Sequence, residues 1–279
     1  MNGFCFHANR LNEILYLLNF FAQQGEKWIF RGQSNAEWPL KSSLERAFEQ
    51  FNVDDIDNKI RAEQHIIEMG DRTLRPYVPS FIEDKLDLLA FIQHFGGITR
   101  LLDFTDSFAV ALFFASETSS SDVSVWCLKR NALRYDKVNL RNRNQRRAFA
   151  SQIVGQFIED DSVIAFAPSN LNKRLYAQQG LFLMPCTLRV STEDLLTQKL
   201  GTPFAPQNIF DVDFDELEKY SCTAVLLKIN VHKTILRDVL VALRKMNVSA
   251  NHLFPGVSGI CRSLSLLASG YRLDKDTEG

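Results

Sequence analysis

Gln93-His-Phe-Gly-Gly-Ile-Thr-Arg-Leu-Leu-Asp-Phe-Thr-Asp106 leads directly into the apolar run Phe108-Ala-Val-Ala-Leu-Phe-Phe-Ala115. The alanine and leucine content of the run predicts a compact buried helix over 108–116. Asp103 and Thr105 precede this helix, where their side chains can accept hydrogen bonds from its free amides. The pair Gly96-Gly97 ends the apolar helical stripe that comes before it. The stretch therefore predicts two helices joined by a short polar segment.

Outward from this stretch, hydrophobic periodicity predicts further elements on both sides. Apolar residues recur at helical spacing over 9–24, 43–51, 55–74, 82–92, 191–200 and 232–268. β-Branched and aromatic runs predict strands at 27–31, 123–128, 163–167, 181–186 and 223–229. The prolines at 203 and 206 indicate a surface loop over 201–208.

Short strands separated by irregularly placed helices favour an α+β fold with a mixed, short-stranded sheet core and several flanking helices. No repeat, low-complexity tract or linker divides the 279 residues. We therefore expect a single domain over 1–279, with an N-terminal helix at 9–24, a motif core at 26–186, and a C-terminal strand and helices at 221–268.

Composition excludes several classes of protein. An apolar share of 46% excludes wholesale disorder, and the run 108–115 is too short to cross a bilayer. The first ten residues do not resemble a signal peptide, so we expect a cytoplasmic protein without a membrane partner. The five cysteines are scattered and the five histidines show no metal-ligand spacing, which predicts free thiols and no structural metal.

Charge is distributed unevenly along the chain. The segment 129–147 contains eight basic residues and one acid, a net charge of +7, whereas the whole chain carries −1. Such a basic segment can follow a nucleic-acid backbone, and it can equally be a solvated excursion or a surface that docks on an acidic partner.

Two further motifs combine polar residues with glycine. Trp28-Ile-Phe-Arg-Gly-Gln33 places Arg31 at the end of a strand, where a guanidinium can capture phosphate or hold nearby carbonyls. Gly32 beside it permits a close approach of a ligand or another chain segment. Arg174-Leu-Tyr-Ala-Gln-Gln-Gly180 indicates a helix capped by Gly180, with Gln178 and Gln179 at its end. These glutamines either contact a ligand hydroxyl or face solvent.

Taken together, these motifs resemble the FRG domain family, named for the residues found here at Phe30, Arg31 and Gly32. The resemblance continues through Trp38, Leu40, Arg46, Gln93-His94, Thr99 to Thr105, Ala111 to Ala115, Arg174 to Phe182, Leu253-Phe-Pro255 and Gly259. Gly256 and Ser258 stand where the family tends to carry acids.

The order of the three motifs is also similar to that of ADP-ribosyltransferases, and this weaker resemblance implies an ADP-ribosyltransferase-like fold. It implies NAD as substrate, with the pyrophosphate held by Arg31. Thr105 and His94 would border the nicotinamide, and Gln178 would orient the ribose. The third motif carries glutamine where that fold carries glutamate, so Asp103 or Glu63 is the candidate carboxylate, with Asp103 preferred. The implied binding set also includes Gly32, Gln33, Thr99, Arg100 and Gln179.

The resulting hypothesis is an enzyme that cleaves the nicotinamide–ribose bond of NAD and transfers ADP-ribose to protein, nucleic acid or water. A nucleic-acid acceptor would use the basic segment 129–147. Such an activity harms its own cell, so we also expect a toxin or defence effector restrained by an inhibitory protein partner. The alternative is a non-catalytic nucleotide- or nucleic-acid-binding module. A hydrolase that uses His94 and Asp103 ranks last, because no metal-ligand cluster or nucleophile elbow is present.

Overall fold

The computed structural model describes residues 2–24, 28–74, 76–77, 82–133, 140–169, 172–200, 207–208 and 224–268. These residues confirm the predicted α+β class. They form one mixed eight-stranded sheet with helices packed on it, in the strand order β5-β6-β3-β2-β4-β8-β1-β7. The strands are β1 (Asn2–Ala8), β2 (Trp28–Gln33), β3 (Leu102–Thr105), β4 (Val123–Lys129), β5 (Val163–Phe166), β6 (Gly180–Pro185), β7 (Gln207–Asn208) and β8 (Ala224–Val231).

Along the chain, the described helices either fall between these strands or, in the case of the last three, follow the final strand. They are α1 (Leu11–Gln23), α2 (Ser43–Gln50), α3 (Ile56–Leu74), α4 (Lys85–His94), α5 (Phe108–Ser116), α6 (Arg143–Ile153), α7 (Lys173–Ala177), α8 (Thr192–Leu200), α9 (Leu236–Lys245), α10 (Ala250–Leu253) and α11 (Val257–Ala268). Two 3₁₀ turns, Arg130–Leu133 and Lys233–Ile235, follow β4 and β8.

The two faces of the sheet bury different sets of helices. On one face, alternate side chains of β2 and β4, such as Phe30 and Val125, pack with α1, α5 and α9. On the other face, their neighbours Ile29 and Trp126 pack with α8. A separate cluster joins α3, α4 and α6 to β5 and β6. Strand alternation therefore decides which helices each strand contacts.

Strands β2 and β3 diverge beside the polar motifs. They are paired antiparallel at Phe30 and Thr105, whereas β2 is paired with β4 along its whole length. On its other side β3 pairs with β6, where Thr105 lies opposite Gly180. The three motif-bearing strands β2, β3 and β6 are thus neighbours in the sheet, and a gap opens where β2 and β3 separate.

Most predicted elements are confirmed, with shifts of a few residues at their ends. The sequence interpretation missed β1, which pairs parallel with β8 more than 200 residues later, and it missed β3 in the polar segment before α5. It also missed α6, which begins in the basic segment and extends beyond it. The region 232–268 was predicted as helical and contains three helices and a 3₁₀ turn. Residues 201–206 of the predicted loop lie outside the described residues, and Gln207–Asn208 form β7.

Within the described part of the chain, no helix is long and apolar enough to cross a membrane. Cys5, Cys127 and Cys186 are buried and Cys261 is exposed, and none of these four described cysteines forms a disulfide bond. Burial raises the pKa of the Cys5 and Cys127 thiols. Cys222 lies outside the described residues.

Candidate functional site

A cavity of about 880 Å³ opens where β2 and β3 separate. Helices α4, α5 and α7 and the segment from Phe254 to Arg262 complete its walls. Its lining combines cationic side chains with aromatic rings, which is the composition expected of a site for an anionic, ring-bearing ligand. The cationic members are Arg31, Lys173, Arg174 and Arg262, and the aromatic members are Phe30, Phe91, His94, Phe95, Phe104, Phe114, Phe182 and Phe254.

Arg31 lies at the cavity with most of its hydrogen-bonding capacity unused. Its Nη1 donates to the main-chain oxygen of Asp103 at 2.7 Å, and its side chain is 20% exposed. Nε is buried without a partner, and no other hydrogen bond of this guanidinium occurs within the described ranges. Burial lowers the pKa of Arg31, although the carboxylate of Asp103 opposes this effect. Four of the five N–H groups of this guanidinium therefore have no hydrogen-bond partner among the described residues.

Asp103 supplies the available carboxylate of the cavity. Its Oδ2 lies 3.9 Å from Nη1 of Arg31, and its side chain is 67% exposed. The other cavity-lining carboxylate, Asp87, is engaged: it accepts from Arg146 Nη2 at 2.6 Å and from the amide of Ser169 at 2.9 Å. Among the described residues that line the cavity, Asp103 is therefore the carboxylate that accepts no hydrogen bond from another residue.

His94 lies at the end of α4 on the cavity wall. Its Nδ1 is 3.4 Å from the Asn172 side-chain amide, and its ring meets that of Phe95 edge to face at 5.0 Å between centroids. Burial lowers the pKa of His94, the positive charge of Arg174 lowers it further, and Asp103 acts in the opposite direction. The neutral imidazole is therefore favoured in the folded protein.

Thr105 and Gln178 line the cavity and connect its walls. The Thr105 hydroxyl donates to the main-chain oxygen of Gln178 at 2.7 Å and accepts from the amide of Ser107 at 3.0 Å. The Gln178 side-chain amide donates to the main-chain oxygen of Leu253 at 3.0 Å. Its Oε1 accepts no hydrogen bond from any described residue, so this oxygen is the part of Gln178 that can contact a ligand.

Gly32 also lines the cavity, and a protein segment makes the close approach at this position. A Cβ atom here would lie 1.9 Å from the carbonyl oxygen of Ala111 and 2.8 Å from the amide nitrogen of Ala115. The glycine therefore allows α5 to pack directly on β2. Of the two expected alternatives, a ligand or another chain segment, the structure shows the second at this position.

Two residues of the expected binding set are interior structural groups. Gln33 is buried, with its side-chain amide donating to Pro39 O and its Oε1 accepting from Trp126 Nε1 at 2.6 Å. The buried Thr99 hydroxyl donates to Gln93 Oε1 and accepts from the amide of Leu101. Neither residue lines the cavity.

Arg100 and Glu63 form a buried ion pair, in which both Nε and Nη2 of the arginine donate to the carboxylate. Arg100 Nη1 also reaches the carbonyls of Pro185 and Cys186, and the amide of Gly155 donates to Glu63 at 2.7 Å. The pair therefore joins α3 to the end of β6. Arg100 and Glu63 are therefore engaged with each other and lie outside the cavity lining, which corrects the expectation that Arg100 binds the ligand and that Glu63 could be the catalytic carboxylate.

Gln179 adopts a left-handed backbone conformation with φ of 48°. Its main-chain oxygen accepts from the amide of Asp106 at 3.0 Å, and its side chain lies away from the cavity. The turn that ends α7 therefore uses Gln179 in the conformation expected of Gly180, which instead begins β6.

Sequence reasoning missed the wall formed by Arg174, Phe254 and Arg262. Both guanidinium groups make cation–π contacts with the ring of Phe254. The Cζ atom lies 4.7 Å from the ring centroid for Arg174 and 4.2 Å for Arg262. Arg174 and Phe254 were visible in the motifs, but nothing in their spacing indicates this contact, because 80 residues separate them.

The basic segment 129–147 is only partly available to an external partner. Residues 134–139 lie outside the described residues. Arg146 is buried against Asp84 and Asp87, Arg143 contacts Glu83, and Arg130 lies 3.5 Å from Asp106. No group of three or more potential metal ligands occurs among the described residues.

The comparisons with known proteins give one match. The model of the FRG domain matches residues 26–123, about a third of the chain, and confirms the family resemblance over that range. The matched range contributes Arg31, His94, Asp103 and Thr105 to the cavity, whereas Arg174, Gln178, Phe254 and Arg262 lie beyond it. No curated protein and no solved structure matches the chain.

Proposed function

We propose that this FRG domain chain binds NAD in the cavity and cleaves the bond between nicotinamide and ribose, transferring ADP-ribose to a nucleophile. The observation that carries the proposal is the Arg31 guanidinium, which has four uncommitted N–H groups in a cavity wide enough for a nucleotide. The adjacency of β2, β3 and β6 supports the resemblance to ADP-ribosyltransferases, because it brings Arg31, Asp103 and Gln178 to one cavity.

The proposed reaction needs little covalent chemistry from the protein. The glycosidic bond breaks with its electron pair moving to the nicotinamide nitrogen, and positive charge develops on the ribose. The oxygen or nitrogen atom of the nucleophile then bonds to the anomeric carbon, and the proton that this atom carried is released. Arg31 would hold the pyrophosphate, and Asp103 would stabilise the charge on the ribose in the transition state.

Two other side chains have supporting roles in the proposal. Gln178 would accept a hydrogen bond from a ribose hydroxyl through Oε1, because its Nε2 is held by Leu253. His94 would border the nicotinamide as a neutral ring. The Thr105 hydroxyl already makes two internal hydrogen bonds, so it would fix the wall and not bind the substrate directly.

Incubation of the purified protein with NAD labelled in the nicotinamide ring tests the proposal. We expect released nicotinamide, a rate about 100-fold lower for Asp103→Asn, and weaker NAD binding for Arg31→Ala. Asp161→Asn is the matched control for the aspartate, because Asp161 pairs with Arg189 away from the cavity. Absence of release, or release undiminished by Arg31→Ala, would contradict the proposal.

A non-catalytic nucleotide-binding module is the second candidate function. It is favoured by the absence of a glutamate among the described residues that line the cavity. This candidate predicts that the wild-type protein binds ADP-ribose, that Arg31→Ala weakens this binding, and that no nicotinamide is released from NAD.

If nucleic acid is the ligand or the acceptor, its binding affinity should fall steeply as the salt concentration rises, because contacts to phosphates produce such a dependence. Charge reversal of the exposed Arg147 together with Arg141 would then lower that affinity.

Because NAD loss harms the cell that makes the enzyme, we further propose a toxin or defence effector controlled by an inhibitory protein partner. The proposal follows from the chemistry alone. Expression of the chain without a partner should slow growth, and Arg31→Ala should relieve this effect. Normal growth at a verified level of folded wild-type protein would contradict it.

A further inference from the structure

A second arginine of the cavity, Arg174, is held in position by an aromatic ring. Its guanidinium carbon lies 4.7 Å from the centroid of Phe254, while that of Arg262 lies 4.2 Å from the same centroid. A guanidinium that stacks on a ring keeps its N–H groups at the edge available for hydrogen bonds. Phe254 therefore restricts the side-chain rotamers of Arg174 without consuming its donors.

Arg262 is neutralised, and Arg174 is not. Both Nε and Nη2 of Arg262 donate to the buried carboxylate of Glu117 at the end of α5. The guanidinium of Arg174 has no hydrogen bond or ion pair with any residue in the described ranges, and only the main-chain oxygen of this residue is bonded, by the Gln178 amide at 3.0 Å. The buried arginines Arg100 and Arg146 differ from Arg174 in having carboxylate partners: Arg100 pairs with Glu63, and Arg146 pairs with Asp84 and Asp87.

The electric field at Arg174 favours an anion. Partial burial and the nearby charge of Arg262 lower the pKa of Arg174, whereas Asp103 raises it. Arg31 and His94 are also influenced by the charge of Asp103, so one carboxylate faces several cationic or titratable groups around the cavity. The positive charge of this wall is thus only partly compensated, and a ligand phosphate would complete the compensation.

We propose that Arg174 is a second anion-binding residue, which together with Arg31 selects a nucleotide carrying two phosphates over one carrying a single phosphate. The inference deepens the proposed function, since it takes a nucleotide as the ligand of the cavity, and it does not depend on NAD cleavage. Phe254 is a positioning residue that acts through Arg174. A guanidinium can donate two parallel N–H hydrogen bonds to one phosphate group. This geometry favours the specific binding of a phosphate over nonspecific attraction of anions.

Isothermal titration of the full chain with ADP and with AMP measures this selection directly. We expect the wild-type protein to bind ADP more tightly than AMP by about 10- to 100-fold. Arg174→Ala should reduce this ratio towards one while changing AMP affinity little, and Arg174→Lys should retain part of it because the charge remains. Phe254→Leu should lower the ratio without removing the guanidinium.

Arg61→Ala is the matched control, because Arg61 is an exposed arginine on α3 that donates to the Asp57 carbonyl away from the cavity. Thermal unfolding of each variant checks that it is folded. A wild-type protein without preference for ADP, or a preference unchanged in folded Arg174→Ala, would overturn the inference. A preference that depends on Arg174 in a protein that releases no nicotinamide would support it and contradict only the cleavage reaction.

Discussion

At Gly32 the backbone of β2 touches helix α5 with no side chain between them. Only glycine fits at this position, because the short distances to Ala111 and Ala115 leave no room for a methyl group. The same close packing brings the alanine-rich helix beside Arg31, one residue earlier. Substitution at Gly32 therefore tests how far the position of Arg31 depends on α5.

Gly32→Ala should lower the free energy of unfolding by about 3 kcal/mol, because the helix must move away from the sheet. Urea denaturation measures this loss. Gly70→Ala is the control: its Cβ would meet the flexible end of the Ile92 side chain at 2.9 Å, and alanine is the better helix former. Equal stability of the wild-type and Gly32→Ala proteins would show that the contact with α5 is unimportant.

Gln179 is strained by its positive φ, a conformation that costs most residues about 1–2 kcal/mol. Gln179→Gly should leave the free energy of unfolding within about 0.5 kcal/mol of wild type, since relief of strain offsets the greater entropy of the unfolded chain. Gln179→Val should lower it by about 1–2 kcal/mol, because a β-branched residue tolerates this region poorly. Urea denaturation of both variants compares the two, and a more stable valine variant would contradict the assignment.

Sequence reasoning could not separate Arg31 from Arg100, although their roles differ. Both are arginines beside polar residues in a motif, and both were expected to contact the ligand. Arg100 is buried because Glu63, 37 residues earlier, reaches it from α3. Which arginine receives a buried carboxylate depends on helix packing that no short spacing reveals.

Among the secondary-structure elements, α3 is connected to the sheet through charge. The Glu63 carboxylate receives hydrogen bonds from Arg100, just before β3, and from Gly155, just after α6. Asp84, the N-cap residue of α4, and Asp87 within α4 bind Arg146 of α6 in the same way. These ion pairs order the three helices that support the wall carrying His94.

Glu63→Gln should lower the free energy of unfolding by about 3–5 kcal/mol, because it leaves the guanidinium of Arg100 buried without its counter-charge. Combining it with Arg100→Met should recover part of the loss. Asp161→Asn breaks the exposed pair with Arg189 and should cost less than about 1 kcal/mol. Chemical denaturation of all four proteins gives the comparison, and an equal loss for the buried and exposed pairs would contradict it.

Most helices and the strands β2, β4, β5, β6 and β8 were predictable because their apolar patterns are local, whereas β3 lies in a segment that was expected to be polar and without a strand. β1 was not predictable, since its partner β8 is distant in sequence and its seven residues carry no turn signal. Helix α6 was obscured by its arginines, of which Arg146 is buried by its two aspartates. The part of the cavity lined by the three motifs was predictable, whereas the wall formed by Arg174, Phe254 and Arg262 was not.

For the molecule as a whole, two histidines link stability to pH. Burial lowers the pKa of His7 and of His94 in the folded state. Below about pH 6.5 the unfolded chain therefore binds more protons than the folded one. The stabilising effect of the neutral histidines is complete above that pH and is lost as the pH falls.

We expect the free energy of unfolding to decrease between pH 7.5 and pH 5.5, as measured by urea denaturation at constant ionic strength. His94→Gln should reduce the pH dependence in this interval, and combination with His7→Gln should reduce it further. His252→Gln, which removes an exposed histidine outside the cavity, is the control variant. A free energy that rises on acidification would be incompatible with this assignment.

The order of strands in the sheet has a consequence for how such proteins can be dissected. Residues 26–123 contain β2 and β3, but almost all of β4 and the whole of β6 come later in the chain. A fragment cut at the limits of the family match would expose the unpaired backbone of two interior strands, which promotes aggregation. The family match therefore covers only part of a folding unit. A fragment of residues 26–123 would not fold independently and would lack part of the cavity wall.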